Sequence, residues 1–301
     1  MKTVVIFGGS GFIGQNIIRR LAKQGKNLIV PYQKPTKEVK LRLYGNVGQI
    51  VPLKFKKLNE GKIKSVIDSA DIVLNLKTIW QEKKHYSYKN HILNFNIQLV
   101  DLMKRTNKSK VFIFFSGLGV NEKSSSKRVQ FIAKVENYIL KNLNRVIIIK
   151  PSVVIGRGDH FIEKLITIFK LSFFIPLFGR GEAKLQPVFV DDVAIAVETI
   201  LNQEIKSNNI YELVGPEIFT YKSLYQFIAD YLGLSRKFVP IPFRLAMIVV
   251  SIIEKIPLNL ITKDQLLLFK EDNTISNKYK TFRELGISPK NLKDIIKKVV
   301  L

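Results

Sequence analysis

Directly after Val4-Val5-Ile6-Phe7 the chain reads Gly8-Gly9-Ser10-Gly11-Phe12-Ile13-Gly14. A β-branched run that ends in glycines and opens an apolar-periodic segment predicts a strand, a tight turn and a helix. In that setting Gly8 permits the turn, Gly11 lets the backbone approach a pyrophosphate, and Gly14 lets the helix pack close to the strand. The helix N-terminus then offers free N–H groups and the positive end of its dipole to the phosphates. The loop therefore predicts a dinucleotide site, with contacts from Gly8, Ser10, Gly11, Phe12, Ile13 and Gly14.

The rest of the first half continues the alternation. Strand-like runs fall at about 3–7, 27–32, 49–53, 71–76, 110–115 and 145–150, with helical patterns at about 12–24, 59–67, 86–105 and 126–142. Such alternation is the signature of βαβ units on a parallel sheet. A strand at 186–190 precedes Asp191-Asp192, either of which is placed to cap a helix over 193–201. Tyr211-Glu212-Leu213-Val214 returns as a short strand. From about 217 the pattern turns helical: Thr220 opens a helix to about Leu232, Pro240 and Pro242 introduce a very apolar one near 243–255, and Thr262 with Gln265 has capping-box spacing. The expected fold is α/β: a Rossmann-type doubly wound parallel sheet with a smaller, mainly helical C-terminal lobe. The expected division is a nucleotide domain over 1–157 joined by the returning segment 186–215, and a lobe over 158–185 and 216–301 for substrate or partner docking.

An NAD site needs an acid about 20 residues past the glycines for the ribose 2′-OH. Counting from Gly14 lands on Lys34, and no acid appears before Glu38. A cation there favours a 2′-phosphate, hence NADP(H) over NAD(H).

Lys and Arg number 49 against 24 Asp and Glu, a formal charge of +25. Part of this is compositional, because 38 of the 49 are lysines in a chain also rich in Ile and Asn. The rest points to an anionic partner. The absence of cysteine excludes disulfides, thiolate catalysis and Cys-based zinc sites. His85, His91 and His160 are too scattered to read as metal ligands. Met1-Lys2-Thr3 runs straight into the first strand, so no targeting segment is expected, and no apolar run is long enough to span a membrane. The helix near 243–255 is apolar around much of its circumference, so it is either buried in the lobe or inserted into a partner or a membrane interface.

The glycine spacing resembles the short-chain dehydrogenase/reductase superfamily, particularly its extended branch. Those enzymes use a Tyr and a Lys at i and i+4 to move a proton, with a Ser positioning the substrate oxygen. None of the ten tyrosines here has a Lys four residues later. Ser116 matches the superfamily's serine. With Glu136 aligned on the family's acid, Arg128 stands at the Tyr position and Ile132 at the Lys position; an alternative register puts Gln130 and Lys134 there. Either way the proton-transferring Tyr is absent, and no catalytic residue is assigned.

Further stretches narrow the resemblance. They are Val30-Pro31-Tyr32 leading to Gly45-Asn46-Val47-Gly48-Gln49-Ile50, the segment Ser116 to Ser126, Lys150-Pro151-Ser152 through Gly156-Arg157-Gly158-Asp159-His160-Phe161, Gln186-Pro187-Val188-Phe189-Val190-Asp191-Asp192-Val193, and Ile261-Thr262-Lys263-Asp264-Gln265. Together they resemble the nucleotide-binding accessory subunit of respiratory complex I (alpha-subcomplex subunit nine) and its bacterial relatives, over nearly the whole chain. The resemblance implies tightly held, structural NADP(H), with Tyr32, Lys34 and Leu58 added to the glycine loop. Leu76, Ser116, Pro151 and Ser152 complete the implied contact set. It also implies peripheral-arm subunits of complex I, or a quinone-linked membrane assembly, as partners. The implied location is cytoplasmic and peripheral, on the inner face of the energy-transducing membrane, or the matrix side if mitochondrial. An anionic membrane surface met through the C-terminal lobe is a further expected partner. Lys57 departs from the pattern, standing where extended reductases place an Asp for the adenine amino group.

Two other functions stay open. One is an NADP-dependent reductase or epimerase acting on a quinone, isoprenoid or sugar nucleotide, with Ser116, Lys134 or Tyr138 as replacement donor. The other is nucleic-acid binding, for which no aromatic-basic motif speaks.

Overall fold

The computed structural model describes residues 2–33, 41–84, 86–106, 109–254 and 261–300. Lys34 and His85 lie outside them.

The first half builds β1 (Thr3–Phe7), α1 (Phe12–Lys23), β2 (Asn27–Tyr32), β3 (Ile50–Lys54), α2 (Gly61–Ser69) and β4 (Ile72–Asn75). A π-helical turn, Lys89–Asn94, leads into α3 (Phe95–Lys104), followed by β5 (Val111–Phe115), α4 (Lys127–Asn142) and β6 (Val146–Pro151). Beyond these lie β7 (Val154–Ile155), α5 (His160–Leu171), β8 (Phe174–Phe178), β9 (Lys184–Leu185), β10 (Val188–Phe189), α6 (Val190–Asn202) and β11 (Asn209–Leu213). The C-terminal part adds β12 (Phe219–Thr220), α7 (Tyr221–Tyr231), β13 (Lys237–Ile241), α8 (Phe243–Ile253), α9 (Lys263–Leu268) and α10 (Leu292–Val300).

Seven strands form one parallel sheet in the order β11-β6-β5-β4-β1-β2-β3. The chain reverses direction across the sheet between β1 and β4, the point where ligands bind in such folds. Strands buried on both faces read as continuous apolar runs, which is why β4 (IVLN) and β6 (VIIIKP) are buried throughout. Alternate residues serve opposite layers. Val4 and Ile6 pack with α1 and α6, whereas Val5 and Phe7 pack with α2, α3 and α4. The two-sided covering makes the sheet doubly wound. A third core beyond the strand ends gathers Phe169 of α5, Leu224 and Ile228 of α7, and Ile295 and Ile296 of α10.

The structure departs from the sequence reading in four places. The helix expected over 86–105 opens as a π turn, because the Asn96 side-chain amide donates to the Ile92 carbonyl (2.7 Å) and competes for the acceptor of a regular turn. Neither Asp191 nor Asp192 is a cap. Helix α6 begins at Val190, and both acids sit in its first turn, where the helix dipole favours negative charge. Asp192 instead accepts from the Lys290 backbone N–H (2.9 Å) and anchors the C-terminal segment. The C-terminal part, read as helical, also carries a parallel β8–β13 pair. Pro240 is expected to introduce the apolar helix, but a two-stranded ribbon has free edges on which the missing N–H of Pro176 or Pro240 costs nothing. Pro240 accordingly lies in β13, and Pro242 alone precedes α8.

Thr262 and Gln265 do form a capping box, as does Thr220 with Ser223. Helix α8 hides only Ala246 and Val250. Leu245, Ile248, Val249 and Ile252 are exposed, by 43 to 62%. Among the described residues no helix is long and apolar enough to cross a membrane, and no group of three or more His, Asp or Glu could hold a metal ion.

Candidate nucleotide site

The glycine loop sits at the switch point. Gly8 has φ +78°, and a Cβ on it would lie 2.8 Å from the Leu76 carbonyl carbon and the Lys77 nitrogen. A Cβ on Gly14 would meet the Gly9 Cα at 2.6 Å and the Gly8 oxygen at 2.7 Å. Both positions therefore require glycine for close backbone approach. Gly11 is the N-cap of α1; it brings no capping side chain, and the first turn holds no acid. Helical geometry leaves the first-turn N–H groups, those of Phe12, Ile13 and Gly14, without intrahelical acceptors. Among the described residues beyond its chain neighbours, the Gly8 oxygen alone lies within 4 Å of a Cβ built on Gly11, so the cradle is open on that side. This arrangement suits an anion such as a pyrophosphate.

The other expected contacts lie at or beside the strand ends. Tyr32 closes β2, is buried, and accepts the Phe55 N–H at its carbonyl (3.1 Å). Leu58 is buried on the α2–α3 side, and the Leu76 N–H donates to the Phe7 carbonyl (2.9 Å). Pro151 ends β6 and accepts the Leu118 N–H (3.1 Å). The Ser152 hydroxyl donates to Asn273 Oδ1 (2.7 Å). The Ser10 carbonyl accepts from the Gln15 side-chain amide (2.8 Å), and the ring of Phe12 lies against Gly156.

Around the residues expected to align with a proton-transfer pair lies a network of ion pairs and hydrogen bonds. Ser116 donates to Glu136, and Lys150 Nζ pairs with the other carboxylate oxygen at 2.8 Å. Burial pushes the Glu136 carboxyl up, while Lys150 and Ser116 oppose that shift. Arg128 is buried, its Nε donating to the Ile79 carbonyl (3.0 Å) and its Nη2 to Thr78 Oγ1 (3.2 Å). Its guanidinium stacks 3.8 Å over the Trp80 ring, and burial pulls its pKa down to about 10. Asp264 of α9 accepts from Ser126 (2.7 Å), the N-cap of α4. The Tyr88 hydroxyl donates to the Trp80 carbonyl at 3.2 Å. Residues 78–80 are thus fastened to α4. Lys134 is exposed beside Phe131, and the Tyr138 hydroxyl donates to Asp101 (2.7 Å). Ser116, Lys134 and Tyr138 therefore each face a different partner, and they do not converge.

Sequence reasoning missed Lys77, which follows β4 at the switch point. Its signal was a lysine two residues after a fully buried strand, at the carboxyl end where ligands gather.

With this geometry in place, comparisons with known proteins supply the family. The NAD dependent epimerase/dehydratase family matches residues 4–213. The mitochondrial NADH dehydrogenase (ubiquinone) 1 alpha subcomplex subunit 9 of Arabidopsis thaliana is 31% identical, the match covering 96% of this chain and 74% of that protein. The mitochondrial NADH-ubiquinone oxidoreductase 40 kDa subunit of Neurospora crassa is 23% identical, over 96% of this chain and 76% of that one. A dTDP-glucose 4,6-dehydratase from Bacillus anthracis, solved in complex with NAD, superposes with a TM-score of 0.73 at 14% identity, covering 100% of this chain and 96% of its own; this is a likeness of fold. The chain belongs to the NAD dependent epimerase/dehydratase family and, within it, to the group of the NADH dehydrogenase (ubiquinone) alpha subcomplex subunit 9 proteins.

Proposed function

We propose that this protein holds NADP(H), in preference to NAD(H), as a structural element. We propose further that it serves without turnover of its own as an accessory or assembly protein of NADH:quinone oxidoreductase (complex I) or a quinone-linked membrane assembly. The observation that carries this reading is Arg128. In the register that aligns Glu136 with the family's acid, the position of the proton-transferring Tyr holds a buried guanidinium that donates to Ile79 and Thr78, in the segment that continues from Leu76 and Lys77, the residues that confine Gly8. A bound nicotinamide supplies a hydride, but Arg128 has no proton to exchange near neutral pH. The uncapped first turn of α1 would hold the pyrophosphate. Glu60 supports the nearby β3 end by accepting the Lys56 and Lys57 N–H groups (2.6 and 2.9 Å), which holds its carboxyl at about 2.

The proposed docking element is the C-terminal part. Leu245, Ile248, Val249 and Ile252 are exposed on α8, with Phe173 and Phe174 exposed at β8. Arg244, Lys170 and Lys237 are exposed in or near the same segments. Apolar side chains among cations suit an anionic membrane surface beside a peripheral partner. On this reading the protein works in the cytoplasm, peripheral on the inner face of the energy-transducing membrane, or on the matrix side in a mitochondrion. The alternative of an NADP-dependent reductase or epimerase would need a proton donor, and the dispersal of Ser116, Lys134 and Tyr138 weighs against it.

The test is twofold. Tagged protein should co-migrate with NADH:quinone oxidoreductase subunits on a native gel of solubilised membranes, and it should not oxidise NADPH with quinones or sugar nucleotides. Substrate-dependent oxidation that disappears on Ser116→Ala would sink the non-catalytic reading.

A further inference from the structure

Among the described residues, a cation at the switch point beside the glycine loop has no counter-ion. Lys77 is half-buried, and its backbone N–H donates to Asn75 Oδ1 (2.9 Å). Its Nζ lies 4.0 Å from the centroid of the Phe95 ring and 5.7 Å from that of Phe55. Both rings meet Phe7, the last residue of β1, edge-on at 5.7 and 5.9 Å. The ammonium thus stands on an aromatic floor at the carboxyl end of the sheet, and its own backbone nitrogen is one of the atoms that confine Gly8.

Among the described residues no carboxylate pairs with Lys77. Burial alone pulls it down to about 8. The titratable neighbour on the π turn is His91, which burial chiefly, and Lys77 in smaller part, pushes down. At the end of β3 stand the cations Lys54, Lys56 and Lys57, and the one carboxylate described there, Glu60, is taken up by the Lys56 and Lys57 N–H groups. A ring-face contact offsets only part of the cost of desolvating an ammonium, so a charged Lys77 calls for an anion. The N–H groups of α1, across the same switch point, call for the same kind of ligand.

We propose that Lys77 is a phosphate-binding residue of this site, its ammonium meeting phosphate oxygens of the dinucleotide cradled by the glycine loop. The inference rests on the nucleotide-binding reading above and adds to it the residue that supplies the charge.

The experiment is calorimetric titration of the full chain with NADPH and, separately, with inorganic pyrophosphate. Lys77→Met and Lys77→Gln are compared with wild type and with Lys64→Met, a control at an exposed position of α2. Lys77→Met and Lys77→Gln should each weaken both ligands at least tenfold, while Lys64→Met changes neither more than twofold. Unchanged affinity in either folded Lys77 variant overturns the inference and leaves the nucleotide reading standing. Tighter NADPH binding would also overturn it, by making Lys77 a plug. Pyrophosphate bound through Lys77 without any NADPH binding keeps the phosphate site and removes the dinucleotide reading. Wild type binding neither ligand removes both.

Discussion

Lys150 Nζ stands 2.8 Å from Glu136 Oε2, and both side chains are buried where β6 meets α4. The Ser116 hydroxyl satisfies the carboxylate's other oxygen, so β5 joins the same cluster. Removing one ion of a buried pair strands the other at a cost of about 3–5 kcal/mol, whereas replacing both with apolar groups is close to neutral. Glu136→Ala should therefore lose about that much stability in urea denaturation. The double variant Glu136→Leu with Lys150→Met should recover most of it. A single variant as stable as wild type would show that the pair carries no structural role.

Arg128 holds residues 78–80 through two hydrogen bonds and a stacked ring, a geometry that a lysine ammonium cannot reproduce. Arg128→Ala and Arg128→Lys should each cost about 2 kcal/mol. Trp80 is the single tryptophan of the chain, so its fluorescence should report a loosened segment in both variants. Unaltered emission and unaltered stability would contradict this fastening.

Lys77 gives a pH signature in protein free of nucleotide. Its folded value of about 8 lies below its ordinary 10.5. Below pH 8 the group is charged in both states, and the desolvation cost is fully present. Between pH 8 and 10.5 the unfolded chain binds more protons than the folded one, so folding gains stability as pH rises. The stability of wild type relative to Lys77→Met should climb by up to about 3 kcal/mol across that window. A difference that stays flat with pH would mean the ammonium is not desolvated.

The exposed face of α8 predicts lipid binding that can be removed without unfolding. Leu245, Ile248 and Ile252 are 52, 61 and 62% exposed, so serine at all three should leave thermal stability nearly unchanged. Each apolar side chain buried on docking is worth about 1.5–3 kcal/mol at most. Partitioning onto vesicles rich in anionic phospholipid should fall at least tenfold, and added salt should weaken what remains. Equal partitioning of the triple variant would place the docking surface elsewhere.

How much was legible in the sequence follows from the range of each interaction. The glycine loop and the strands of the central sheet are local patterns: Val4 to Phe7 and Val146 to Ile149 read as buried strands because both of their faces are covered. The capping boxes at Thr220 and Thr262 are three-residue motifs and read equally well. The β8–β13 pair did not read, since Pro176 and Pro240 hide a strand whose partner lies some 60 residues away. The aromatic floor of Lys77 did not read either. Phe55 and Phe95 come from opposite sides of Lys77 in sequence and meet only when β1, β3 and α3 are assembled.

Whether the protein holds NADP(H) is decided by denaturing freshly purified protein and identifying the released nucleotide by mass spectrometry. NADP(H) should be released at close to one per chain, and it should be lost when Gly14→Val obstructs the glycine loop. Protein that releases no nucleotide and binds none on titration would contradict a structural role for NADP(H).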